Sequence, residues 1–443
     1  MADFARSADP RVQAELDRLH KIGPGADVLG LDRISRLLER LGRQQDRLPP
    51  VFHVAGTNGK GSTCAFLRAM LEAAGYRVHV FTSPHLVRFN ERIRIAGKLV
   101  EDSELADLLA EVREAGADIG PSFFEATTAA AFLAFARHPA DACIIEVGLG
   151  GRLDATNVIE RPLVTGIASL GIDHRQFLGD TLGEIAREKA GIAKPGVPMV
   201  TLAYEPEAEA AIDARLAAVN VERVRLGEQW QAAPSHTGFH FRDQHGALDL
   251  PHPGLPGDHQ MLNAGLALAM LRRQAALPVS DAAARQGIAA ARWPARLQRL
   301  TSGKLVDRLP RGIEVILDGA HNRNAAEAVA KALRGGGPIN IVTGILRNRG
   351  TDEVLAPFAG MAKRLLAVPL SGHDHHDPRD IIWQAGEMLG VKGGSPADNV
   401  GQAFDWLAGL MAKDGVEPGE RVLIVGSLYL AGAVLEANGT LPD

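Results

Sequence analysis

Between residues 51 and 201, short apolar runs alternate with longer stretches whose apolar positions recur every three or four residues. The runs at 51–55, 78–81, 142–145 and 163–170 are rich in Val, Ile and Phe and bounded by Gly, Ser, Pro or Asp, which predicts strands. The stretches at 62–74, 103–115, 125–137 and 181–190 predict helices. Strand and helix in alternation predict a mostly parallel sheet covered on both faces. Ahead of it, residues 10–47 carry helical patterning, with Leu31, Ile34, Leu37, Leu38 and Leu41 at three- and four-residue spacing. Between 221 and 250 the pattern shortens into 223–226, 239–242 and 247–250, separated by turn residues, which predicts a small antiparallel appendage. Helical patterns follow at 259–276 and 280–291. A second alternating series then places strands at 313–317, 339–343, 364–368 and 421–425.

Proline and glycine break the periodicity at 293–303, so the chain divides there. The expected class is α/β: a domain at 1–294 with a phosphate-loop type of parallel sheet and its appendage, then a Rossmann-like α/β domain at 295–443. Length agrees, because 443 residues exceed what one core supports. A hydrophobic fraction of 46% with 23% charged residues is that of an ordinary globular chain and argues against extended disorder. The net charge of -5 argues against a nucleic-acid binder. Cys64 and Cys143 are the only cysteines, which points to a reducing compartment. The N-terminus lacks an apolar signal core, and no apolar run reaches the roughly 18 residues a membrane span needs. A cytoplasmic protein is expected.

The predicted strands of the first domain each run out into polar residues suited to a nucleotide and its metal. In a parallel sheet those ends share one edge, where such folds bind ligands. The first leads into Gly56-Thr57-Asn58-Gly59-Lys60-Gly61-Ser62, between a strand and a helix. Glycines there let backbone N–H groups surround an oxyanion, the helix N-terminus adds positive potential, and Lys60 reaches terminal phosphates. A tight turn with a solvated lysine is the alternative. The residue after Lys60 is Gly61, which has no hydroxyl, so a metal-binding hydroxyl must come from Ser62 or elsewhere. Glu146 suits magnesium, which takes oxygen ligands, because an apolar strand delivers it beside Gly148, Gly150 and Gly151; its alternative is a pair with Arg152. Ser83 and His174 follow the other two strands. Lys189, by pattern alone, is a solvated lysine near a helix C-terminus.

Together these pieces resemble the folylpolyglutamate synthase and dihydrofolate synthase family, within the Mur ligase superfamily. The resemblance is carried in order by residues 53–62, 82–92, 146–157, Asp173-His174, 188–192 and Asp318-Gly319-Ala320-His321-Asn322. It implies a two-domain ATP-dependent amide ligase. By similarity, Gly59, Lys60, Gly61, Ser62, Asn263, Arg296 and Asp318 would contact ATP, and Ser83, Glu146 and His174 would hold magnesium, with two metal sites. Lys189 would be carbamylated, turning a cation into a carboxylate that supports the second metal, and Lys60, Lys189 and His321 would be the catalytic set. The pterin would be held by Leu29, Gly30 and Leu31, by Ser122, Phe123, Phe124 and Glu125, and by Leu153, Asp154 and Ala155; His321 and Ser427 would lie near the incoming glutamate. The chain departs from the pattern at Ala295, where relatives commonly have Gly, and at Ser62, where they often have Thr.

The chemistry so implied begins with attack of a substrate carboxylate on the γ-phosphate of ATP. The acyl phosphate then yields to the amine of L-glutamate, with His321 either helping to take its proton or orienting a substrate. Dihydropteroate and folates both fit as acceptors, and the segments 29–33 and 123–125 look like those of bacterial members that use both. The expected partners are these small molecules alone, with no nucleic acid and no membrane, acting on a monomer. A synthase that only extends folates, a UDP-muramoyl amino-acid ligase and a regulatory ATPase are the competing readings. Only about 50 residues precede the phosphate loop, short of the extra domain that muramoyl ligases generally carry.

Overall fold

The computed structural model describes residues 6–23, 29–391 and 394–443. They group into two compact units. The first runs up to Gly254 and adds His259–Arg292; the second joins Leu255–Asp258 to Trp293–Asp443.

The main sheet of the first unit contains, in chain order, β1 (Val51–Ala55), β2 (Val78–Phe81), β3 (Ile93–Ile95), β4 (Lys98–Leu99), β5 (Ala142–Glu146), β6 (Val164–Ile167), β7 (Met199–Thr201) and β8 (Arg223–Arg225). Its spatial order is β4-β3-β2-β5-β1-β6-β7-β8. From β2 to β8 all pairings are parallel, with Val54 beside Glu146 and Ala55 beside Ile167; β3 and β4 pair antiparallel at one edge. Every residue of β1, β2 and β5 is buried, which is why these strands read as mainly apolar runs, interrupted in β1 by His53 and in β2 by His79. Phe81, Cys143 and Ile145 pack in one cluster with the helices Pro10–Ile22, Asp32–Arg40, Asp102–Ala115 and Phe123–Arg137. The helix Lys60–Ala73 packs on β1, β2 and β5 and against the helices His259–Arg272 and Asp281–Ala290.

The small sheet is formed by β9 (Trp230–Ser235), β10 (Gly238–Asp243) and β11 (Gly246–Pro251), antiparallel in the order β11-β10-β9. Two details differ from the sequence expectation. Arg223–Arg225 is not part of this appendage: it extends the main sheet, held by Arg223 and Arg225, whose guanidiniums lie 2.6 and 3.3 Å from Glu209 on the neighbouring helix Pro206–Val219. The third strand of the appendage is β9, hidden by Ala232, Ala233 and Pro234; as an edge strand it tolerates a proline. The long helical patterning at 10–47 resolves into Pro10–Ile22, Asp32–Arg40 and a 3-10 turn at Gln44–Arg47, with 24–28 outside the described residues.

The second unit holds β12 (Gln298–Leu300), β13 (Glu314–Leu317), β14 (Ile339–Thr343), β15 (Ala362–Ala367), β16 (Gly394–Pro396) and β17 (Arg421–Val425). Their order is β12-β13-β17-β14-β15-β16, parallel except for β12 against β13. The pattern missed β12 and β16, each three residues long. Among the described residues no helix is long and apolar enough to cross a membrane.

Candidate active site

The turn after β1 has the conformation its glycines allow. Gly56 and Gly59 have φ of +153° and +85°, the region that L side chains avoid. A Cβ on Gly59 would stand 2.5 Å from Asn263 Oδ1, so the loop is pressed onto the helix His259–Arg272, where Asn263 donates to Gln260 Oε1 at 2.9 Å. Lys60 opens the following helix and folds back, its Nζ donating to Gly56 O at 3.1 Å and to Thr57 O at 3.3 Å. Gly61 and Ser62 complete the first turn. Ser62 is 1% exposed, and its Oγ finds no hydrogen-bond partner among the described residues.

Lys189, in the last turn of Leu182–Ala190, is buried rather than solvated, and its Nζ donates to the same Gly56 O at 2.9 Å. Two ammonium groups on one carbonyl lie no more than about 6 Å apart. Burial, reinforced by the charge of Lys60 and opposed by Asp173 and Asp154, pulls the Lys189 pKa down to about 7. The neighbourhood is tight: a Cβ on Gly151 would meet Glu188 O at 2.7 Å and Lys189 O at 2.9 Å.

Glu146, at the end of β5, is 4% exposed and accepts from the backbone N–H of Ser83 at 3.4 Å, so the ends of β2 and β5 bring these two residues together. Arg152 pairs instead with Glu188 at 2.9 Å. His174 has a left-handed backbone (φ 50°), caps the short helix Arg175–Leu178, and keeps its ring 3.8 Å from Asp173.

The three segments expected to hold a pterin are linked. Leu29, Gly30 and Leu31 are half-buried and run into the helix Asp32–Arg40. Ser122 and Glu125 form a capping box at the start of Phe123–Arg137. Glu125 also accepts from Arg33 Nε at 2.9 Å. Phe123 stacks on His20 with ring centroids 4.2 Å apart, and Phe124 covers Gly148, where a Cβ would meet its ring at 2.3 Å. Beyond Leu153, Asp154 accepts from Leu149 N at 2.8 Å, from Thr156 N at 3.0 Å and from the Thr156 hydroxyl; Ala155 is buried in the core. Burial raises the Asp154 pKa above the usual carboxylate range.

In the second unit, Asp318 follows β13, accepting from Leu297 N at 2.7 Å and Ala320 N at 2.8 Å. Burial raises its pKa, and the Arg296 charge works against that rise. Arg296 donates to Ala295 O at 2.8 Å. Ala295 has φ of +54°; a left-handed backbone there is the physical reason a glycine suits this position. His321 Nδ1 lies 2.9 Å from Gly319 O. Ser427 caps the helix Leu428–Asn438 through Leu430 N at 3.1 Å, while Gly426 N donates to Ala320 O, so the residues after β13 and β17 adjoin.

Reading motifs alone left Arg33, Asp173, Gln260 and Glu188 without roles. Asp173 precedes His174 and supplies charge to Lys189, but a buried carboxylate is not visible as such in sequence. The other three act through partners distant in the chain or on one helix face.

Residues 54–271 match the Mur ligase middle domain, and 298–428 the Mur ligase glutamate ligase domain. The dihydrofolate synthase/folylpolyglutamate synthase of Bacillus subtilis is 37% identical over 426 residues, covering 90% of this chain and 93% of that protein. The structure of E. coli FolC in complex with DHPP and ADP superposes with a TM-score of 0.85 at 36% identity, covering 97% of each chain. That of the Yersinia pestis bifunctional folylpolyglutamate synthase/dihydrofolate synthase complexed with AMPPNP and Mn ion has a TM-score of 0.82 at 32% identity, covering 96% of this chain and 97% of the other. The chain belongs to the dihydrofolate synthase/folylpolyglutamate synthase family of ATP-dependent ligases, within the Mur ligases.

Proposed function

We propose that this protein joins L-glutamate to dihydropteroate and to the γ-carboxylate of folates, with release of ADP and phosphate. The observation that carries the reading is the convergence of Lys60, Lys189, Ser62, Ser83 and Glu146 at the ends of three adjacent parallel strands. Relatives solved with ADP and DHPP, or with AMPPNP and manganese, support the choice of ligands.

A carboxylate is a poor acyl donor because its leaving group would be oxide. In the proposed reaction an acceptor carboxylate oxygen attacks the γ-phosphorus as the bond to ADP breaks, giving an acyl phosphate. The glutamate amine then attacks the acyl carbon, expels phosphate and loses a proton. Positioning and charge neutralisation govern such a transfer. Lys60 would leave Gly56 O and Thr57 O to meet phosphate oxygens, and Arg296 would add a second cation. Asn263 and Asp318 are assigned to the nucleotide; His321, with Ser427, is assigned to glutamate, where an imidazole can take the amine proton. The donors fit a divalent cation: Ser62 offers a buried hydroxyl with no hydrogen-bond partner among the described residues, and Glu146 beside Ser83 offers a carboxylate. Magnesium held there, with His174, would neutralise charge on the phosphates. Carbamylation of Lys189 is part of the proposal, since carbon dioxide adds only to a neutral amine and burial holds this one near neutrality. Two buried free cysteines agree with a cytoplasmic setting.

The test is ADP release by the purified protein with magnesium, ATP, dihydropteroate and L-glutamate, using acceptor labelled with oxygen-18 in its carboxylate. Dependence on both acceptor and glutamate, with label in the released phosphate, is the expected result. Turnover of a UDP-muramoyl acceptor, or ATP hydrolysis indifferent to glutamate, would overturn it.

A further inference from the structure

We infer that the Arg33–Glu125 ion pair is a latch that holds the acceptor-binding segments in one arrangement, which makes Arg33 a positioning residue for the acceptor and not for the nucleotide. This rests on the acceptor reading above.

In the segment Leu29–Gly30–Leu31, Leu31 packs against the apolar core of the first unit. All three residues are half-buried, and a Cβ on Gly30 would have no neighbour within 4 Å among the described residues. Two residues on, in the first turn of Asp32–Arg40, Arg33 reaches across 92 positions of sequence to Glu125 Oε2 at 2.9 Å. The pair is sheltered, with side chains 21% and 5% exposed. The same oxygen accepts from Ser122 N at 2.6 Å, and Ser122 Oγ accepts from Glu125 N at 3.2 Å. One carboxylate oxygen therefore ties the start of one helix to the start of another, the one that carries Phe123 and Phe124. Phe124 in turn rests on Gly148, at the head of the loop that Asp154 shapes. Segments drawn from three distant parts of the chain are thus fixed to each other through Glu125.

The chemistry of that carboxylate makes the latch sensitive. Its other oxygen, Oε1, is buried without a hydrogen-bond partner among the described residues, so Arg33 is the cation that compensates the charge. Removing the cation leaves a buried carboxylate served by backbone N–H alone, and a group so placed draws in water or shifts the elements that hold it. The elements that shift carry the acceptor segments. The phosphate loop, built on β1 and the helix Lys60–Ala73, shares none of these bonds.

The test compares wild type with Arg33→Gln, Glu125→Gln and the double variant in steady-state assays varying ATP, glutamate and dihydropteroate in turn. Gln at 125 keeps an acceptor for Ser122 N and removes only the charge. The expected result is a rise of about tenfold in KM for dihydropteroate in either single variant, the scale of one charged hydrogen bond. KM for ATP should stay at the wild-type value in both single variants, kcat should stay there in Arg33→Gln, and the double variant should be no worse than the weaker single one. A fall in melting temperature with unchanged acceptor KM, an equal rise in KM for ATP, or additive losses would reduce the pair to a structural contact and overturn the latch. Arg33 is partly exposed, so Arg33→Gln keeps the question answerable if Glu125→Gln does not fold. A wild type that never turns over dihydropteroate sinks the acceptor reading itself, an outcome distinct from an active wild type matched by Arg33→Gln.

Discussion

Replacing Lys189 with Met tests the electrostatics of the phosphate loop directly. The buried ammonium deprotonates near pH 7 in the folded protein, against 10.5 for a free lysine, with burial as the main cause and Lys60 as the second. That difference corresponds to a charged form disfavoured by about 5 kcal/mol. Because the folded pKa lies below the unfolded one, the unfolded chain holds the extra proton between these values. Wild-type stability therefore rises as pH climbs from 7 towards 10.5, and the full penalty stands below 7. Met fills the same space without charge and forfeits the bond to Gly56 O, a loss of about 2 kcal/mol while the amine is charged and about 1 when it is neutral. The variant should thus be more stable than wild type by about 3 kcal/mol at pH 6, and about as stable as wild type near pH 10, where the last of the penalty, about 1 kcal/mol, offsets the lost bond. At roughly 2 °C per kcal/mol the difference at pH 6 is about 6 °C in melting temperature. The assay is thermal unfolding of both proteins in buffers freed of carbon dioxide, so that no carbamate masks the amine, across this pH range. A difference between them that does not change with pH would refute a buried, charge-stressed Lys189. The variant should also be inactive.

Two substitutions probe the neighbouring groups. Glu146→Gln keeps shape and removes charge, so magnesium-dependent ADP release should collapse by about a hundredfold or more while the melting curve stays in place; normal ligation by this variant would remove Glu146 from the metal site. Gly148→Ala drives a methyl to within 2.3 Å of the Phe124 ring, so a loss of about 1 to 3 kcal/mol in stability is expected, together with a raised KM for the acceptor; a variant that matches wild type in both would show that Phe124 moves aside freely.

The strands that carry the site were legible because they are buried on both sides. β1, β2 and β5 are mainly apolar runs ending at Gly56, Thr82 and Glu146, and their parallel order followed from alternation with helices. What pairs over long distances was not legible. Arg223–Arg225 looks like any short polar-apolar strand, and only its partner β7 settles its sheet. Lys189 sits at a helix end where a solvated lysine is ordinary; the acceptor that gives it meaning, Gly56 O, is 133 positions away. Pattern reading set Arg152 against Glu146, but the arginine pairs with Glu188, 36 positions on in the chain. Asp154 was identified as part of a binding segment, and both its oxygens serve the loop's own N–H groups and a threonine hydroxyl. Motif spacing locates such a residue without revealing which atoms it has left to offer.

The strand nearest the C-terminus, β17, lies between β13 and β14. A growing polypeptide leaving the ribosome can form the parallel β14–β15 pair early, yet β13 has no partner on that side until Arg421–Val425 has emerged. The sheet is completed by threading its keystone last, after about a hundred residues of delay, and such long-range closure is slow and leaves strand edges exposed meanwhile. Nascent chains stalled before that point would depend on chaperones, and a premature stop a few codons upstream of it would leave the second unit without its centre.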